Sequence, residues 1–165
     1  MYCNSMIVAL YLLALAAGQG IPLPTPEKLV TADLHQYCAD LGIKDVAIPN
    51  NPTPQPYLHG RCDKCVGKQC VKRYTQLAVS SCIGWTRADV GSIVPQMDGN
   101  APLHGRCIQW EYHRKGWDTY LISTFCAVPG EYGRGNDQFK TISTPGLIKV
   151  DTTTGKIGCF GKWGS

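Results

Sequence analysis

The sequence predicts an α+β fold, an antiparallel β-sheet with an N-terminal helix on one face, stapled by about four disulfides. Three observations lead there. Eight cysteines follow an apolar leader, one helical periodicity comes soon after it, and period-two alternation between turn residues recurs through the C-terminal half.

Ile7 to Ala17 is an unbroken apolar run followed by small residues that include Gly18 and Gly20, so residues 1–20 are expected to be a signal peptide. The run is too short to span a bilayer. Cys3 leaves with the leader, and nine cysteines minus one gives eight. An exported chain folds under oxidising conditions, so Cys38, Cys62, Cys65, Cys70, Cys82, Cys107, Cys126 and Cys159 are expected to form disulfides. Their connectivity is open, since eight cysteines allow 105 pairings.

Residues 21–30 read as an extended arm spaced by Pro22, Pro24 and Pro26, and residues 31–165 as one domain. Thr31 is placed to cap a helix whose apolar positions Leu34, Tyr37, Cys38 and Leu41 fall at i, i+3, i+4 and i+7, ended by Gly42. Asp45 to Ile48 reads as a short strand. Pro49 to Pro56 holds four prolines and reads as a surface loop.

Leu58-His59-Gly60-Arg61-Cys62 recurs letter for letter as Leu103-His104-Gly105-Arg106-Cys107. Each copy is followed by an apolar run ending in Cys82 or Cys126, which suggests a duplication with Cys62 and Cys107 at similar strand starts. The alternative is two independent glycine turns.

In the second unit Ile108, Trp110 and Tyr112 alternate with Gln109, Glu111 and His113, and Lys115-Gly116 turns the chain into Thr119 to Val128. This predicts a hairpin with one aromatic face. Gly130 to Asp137 is a Gly-rich polar loop, and Leu147 to Asp151 pairs with Lys156 to Phe160 across Thr152-Thr153-Thr154-Gly155.

The formal charge of +4 is mildly basic, and the group Lys64, Lys68, Lys72 and Arg73 reads as a solvated face rather than a nucleic-acid footprint. Cys62-x2-Cys65-x4-Cys70 has the density of a zinc site, but in an oxidising compartment such thiols become bridges. No metal and no cofactor is expected. Glu111 and His113 stand two apart on one strand and share a face, the minimum for acid–base catalysis in a secreted ribonuclease or toxin. A solvated sheet face is the plainer reading. His59 and His104, with Arg61 and Arg106, are turn residues or an anion site.

The leader, the proline-spaced arm, the early cysteine-bearing helix and the eight cysteines ahead of C-terminal hairpins together resemble a small cysteine-rich fungal effector. Within that class the layout is most similar to the Leptosphaeria avirulence (LARS) effector family. That family carries a Trp-Arg-apolar-basic motif, and the nearest segment here is Trp110-Glu111-Tyr112-His113, which differs at its second position. The resemblance implies an antiparallel sheet with helices on one side, secretion during infection, possible recognition by host resistance proteins, and no catalytic residues to carry over. The expected function is that of a secreted, monomeric effector that binds a host protein or other host molecule. The alternatives are the ribonuclease or toxin, and an extracellular inhibitor or carbohydrate-binding module signalled by exposed Trp117 or Trp163.

Overall fold

A computed structural model describes residues 31–49, 51–86, 91–115, 119–127 and 137–165. The expected leader and arm, Trp117, and all but Asp137 of the loop over Gly130 to Asp137 lie outside the described residues.

The architecture is β rather than α+β, with 66% of it in strands and 10% helical. The predicted N-terminal helix is replaced by strand β1 (Thr31–Asp33), a single turn α1 (Leu34–Tyr37) and strand β2 (Cys38–Ile48). Two pairings override the helical period. Thr31 to Asp33 hydrogen-bond along β10 (Lys149–Asp151), and Cys38 lies directly opposite Cys62 on β3 (Asn51–Val66), to which it is bridged. A helix held to one turn between two strands keeps little of the hydrogen bonding that offsets its nucleation, so tertiary pairing decides the segment.

The proline segment was also misread, because Asn51 to Pro56 opens β3. Pro52, Pro54 and Pro56 recur at every second position, so their missing N–H groups all fall on one edge. That stretch pairs with β2 alone, since the register with β4 (Gln69–Ala78) begins at Tyr57 opposite Ala78. The layer of helices implied by the LARS resemblance has no counterpart among the described residues, whose other helices are the single turn α2 (Ala101–His104) and a 3₁₀ turn over Val79–Ser81.

The remaining strands are β5 (Ile83–Thr86), β6 (Ser92–Pro95), β7 (Ile108–Lys115), β8 (Thr119–Cys126), β9 (Gln138–Ser143), β11 (Lys156–Cys159) and β12 (Lys162–Trp163). They form four antiparallel sheets ordered β1-β10-β11-β12, β2-β3-β4, β5-β6 and β7-β8-β9. Both predicted C-terminal hairpins, β7-β8 and β10-β11, are present. The sheets share one core built on Leu34, Leu58, Ile83, Ile122, Val150 and Ile157. Ser165 exchanges two backbone hydrogen bonds with Gln76, which ties the chain end to β4.

The eight cysteines pair as Cys38–Cys62, Cys65–Cys70, Cys82–Cys159 and Cys107–Cys126. The dense cluster is therefore divided between two bridges. At the β10-β11 turn the buried carboxylate of Asp151 accepts hydrogen bonds from the Thr153 backbone N–H at 2.9 Å and hydroxyl at 2.6 Å, and from the Thr154 hydroxyl. Burial pushes its pKa up, but these donors outweigh burial and leave it below the ordinary 3.8. On α1, half-buried His35 stacks on Tyr120 and lies 2.9 Å through Nε2 from the Tyr112 hydroxyl, and burial holds its pKa below 6.5.

Removing the bridges as paired Cys→Ala changes should cost about 4.5 kcal/mol for Cys82–Cys159, which spans 77 residues, and about 2 kcal/mol for Cys65–Cys70, which spans 5. Urea unfolding measures both, and equal losses would refute the loop-length account. Both lowered pKa values give stability that is complete above the unfolded value and lost as pH falls through the folded one. Unfolding free energy should therefore decline below pH 6.5 in the wild type and less steeply in His35→Gln, the remainder coming from His59, whose pKa burial and Lys44 also hold below 6.5, while Asp151→Asn should flatten the separate loss below pH 3.8.

Candidate functional site

The sheet β7-β8-β9 has one face in the core and one open. Inward go Trp110, Ile122, Cys126 and Ile142, all buried, with the Trp110 indole N–H donating to the Cys107 carbonyl at 3.1 Å. Glu111 and His113 share the outward face, as their spacing requires.

Ile108 departs from the alternation. Gln109 adopts φ 54°, and the register passes from Ile108 opposite Phe125 to Glu111 opposite Ser123, three residues on β7 against two on β8. This is a β-bulge. The extra residue turns Ile108 away from Trp110 and Tyr112 and onto the outer face. There it lies opposite Phe125, which in turn lies opposite Phe139. Ile108, Phe125 and Phe139 thus form a row across three strands, 52%, 37% and 57% exposed, with the two phenyl centroids 5.3 Å apart. Simple alternation places Ile108 in the core, so the row was missed; the signal available was two phenylalanines at polar-phase positions of their strands.

Beside the row, His113 Nε2 lies 3.0 Å from Glu111 Oε2 and 2.7 Å from Ser123 Oγ. Serine, histidine and a carboxylate therefore meet, but not as a relay. A relay needs the base to take the hydroxyl proton on one ring nitrogen while the other nitrogen donates to the carboxylate. Here both partners converge on Nε2, and Ser123 is 2% exposed. Acid–base cleavage of a phosphodiester fares no better, because an acid and base in direct contact leave no space for the scissile group between them. Among the described residues, no Lys or Arg forms an ion pair with either side chain.

The repeated pentapeptide takes two conformations. In the first copy Leu58, Gly60 and Cys62 are buried on the core face of β3, His59 is half-buried, and Arg61 is exposed, 3.8 Å from Asp40. In the second, Leu103 and His104 are exposed on α2, Gly105 caps it, and Arg106 adopts φ 46° before Cys107. The cysteines differ too, since Cys62 is mid-strand and bridged to Cys38, whereas Cys107 directly precedes β7 and is bridged to Cys126. The expectation that Cys62 and Cys107 occupy similar strand starts is overturned. Of the basic group, Lys72 is paired with Asp63 at 2.9 Å and donates to the Tyr37 carbonyl. No set of three His, Cys, Asp or Glu side chains among the described residues is placed to hold a metal ion.

A groove of about 660 Å³ opens where β6, β9, β10 and the β11-β12 hairpin meet, lined by Pro95, Pro145, Leu147, Phe160 and Trp163 with Lys149. Trp163 is half-buried rather than exposed. Compared with protein-family models, curated proteins and solved structures, the chain matches none.

If Glu111 and His113 are not catalytic, Glu111→Gln and His113→Ala should each leave any RNA turnover by the oxidised protein unchanged; Glu111→Gln should lower stability by less than about 1 kcal/mol, as for an exposed pair, and His113→Ala by about 1–3 kcal/mol, because it leaves the buried Ser123 hydroxyl without its partner. A gel-based cleavage assay beside urea unfolding checks this. Turnover lost in both variants would restore the ribonuclease reading.

Proposed function

We propose that this chain is a secreted effector of the small cysteine-rich fungal class, acting by binding a host protein through the open face of the β7-β8-β9 sheet. The observation that carries the reading is the exposed row of Ile108, Phe125 and Phe139. Three large apolar side chains in cross-strand contact, rimmed by Glu111, His113 and Thr141, have the make-up of an interface centre with a polar border. A lone exposed apolar residue would carry no such meaning.

Two further features support the reading. Four disulfides suit a domain that works outside the cell, exposed to proteases and without chaperones. Among the described residues no helix is long and apolar enough to cross a membrane. The contact of Glu111 with His113 argues for a rim pair rather than a catalytic one. Membership of the LARS group loses the support of its helix layer, so the proposal rests on the effector class alone.

Oxidised protein infiltrated into leaves should alter a defence readout, either a host cell-death response or the elicited oxidative burst. Phe125→Ser with Phe139→Ser should abolish the effect without loss of folding, while Glu111→Gln should weaken it less than threefold. An effect indifferent to both phenylalanines would sink the assignment of this face.

A further inference from the structure

The groove beside β12 is independent of the sheet face proposed above, and its construction is specific. Phe160 and Gly161 are the two residues linking β11 to β12, with Cys159 opposite Lys162. Both have positive φ, 49° and 78°, the pattern of a type I′ hairpin turn, whose first central position favours Asn or Asp over an aromatic. Phenylalanine there is conformationally costly. What it gains is a ring, 46% exposed, at the lip of an apolar groove. Gly158 lets Trp163 lie flat on the backbone, since a Cβ at that position would stand 2.4 Å from the indole Cε3. The walls are held in place: Cys159 is bridged to Cys82, and Lys162 pairs with Asp98 across the groove's outer strand.

Lys149 is the one charged side chain lining the groove; Asp33 stands opposite it on β1, but among the described residues no carboxylate comes within ion-pair distance of Lys149. An apolar slot of this volume with a single unpaired cation is complementary to a small apolar molecule bearing one negative group. We propose that this groove binds a small aromatic or aliphatic acid, its hydrocarbon part between Phe160 and Trp163 and its carboxylate or sulfonate at Lys149.

The test titrates the oxidised protein with two fluorescent probes that share one ring framework. These are 1-anilinonaphthalene-8-sulfonate and its uncharged counterpart N-phenyl-1-naphthylamine. Saturable 1:1 binding is expected, with the sulfonate probe at least tenfold tighter. Lys149→Gln should bring the two probes to within about twofold. Phe160→Asn should weaken both at least tenfold while holding the melting temperature or raising it by a few degrees, because Asn is at home in the turn; Phe160→Gly provides the same comparison should Asn misfold. Equal affinity for the two probes in the wild type would overturn the acid assignment. Non-saturable binding, or binding indifferent to Phe160→Asn, would remove the ligand from this groove. A dimer at titration concentrations that Phe160→Asn dissolves would assign the groove to a second copy of the chain instead.

Discussion

The bridge between Cys82 and Cys159 is the constraint on which the rest of the structure leans. Both cysteines are buried, and the link joins the centre of the chain to its last hairpin across 77 residues. On one side stands β5-β6, a pair of four-residue strands that would be marginal alone. On the other stands β11, whose Ile157 N–H donates to the Thr75 hydroxyl of β4 and whose partner β10 holds β1. The bridge thus joins two of the four sheets covalently, and the hydrogen bond to Thr75 adds a third. The backbone pairing of Ser165 with Gln76 closes the same side of the molecule, so no long helix is needed to cover it.

What faces outward is decided by a smaller feature. A single extra residue at Gln109 rotates Ile108 out of the core while leaving Trp110 and Tyr112 in it. Without the bulge, period two would bury Ile108 beside Trp110, and the outer face would carry the Phe125–Phe139 pair alone. With the bulge, three apolar side chains meet in one row. The same shift sets Glu111 opposite Ser123, which explains why His113 finds both groups at one nitrogen.

These local devices mark the boundary of what the sequence discloses. The hairpins β7-β8 and β10-β11 were legible because alternation and turn residues act within a dozen positions. Oxidation of all eight cysteines was legible from their number and the export expected of the leader; their pairing was not. The segment around Cys38 was misread because its apolar spacing fits a helix, while its actual partners, Lys149 to Asp151 and Cys62, lie far along the chain. Leu58 to Cys62 and Leu103 to Cys107 make the point most directly. The same five residues run along a core strand when flanked by period-two neighbours, and unwind from the end of a helical turn when Pro102 sets the backbone ahead of them. The groove was beyond reach for a related reason. Pro95, Lys149 and Trp163 come from three separate strands, and nothing in any one of them announces a cavity.

The backbone carries its own indication of where these surfaces matter. Among the described residues, six that are not glycine have positive φ: Asp40, Asp98, Asn100, Arg106, Gln109 and Phe160. Asp and Asn occupy that region at modest cost, because their short polar side chains bond locally. Arg, Gln and Phe, with longer or bulkier side chains, enter that region less readily. Arg106 lies immediately before Cys107, Gln109 makes the bulge, and Phe160 forms the lip of the groove. The costly conformations therefore fall at the start of the strand that displays the apolar row and at the turn that displays an aromatic ring. Strain persists where surrounding structure over-determines it, and here the two enforcing elements are the Cys107–Cys126 and Cys82–Cys159 bridges. Each bridge pins the strand beside a strained residue. The disulfides thus do more than resist unfolding: they hold two outward-facing apolar features in conformations that a less constrained chain would relax.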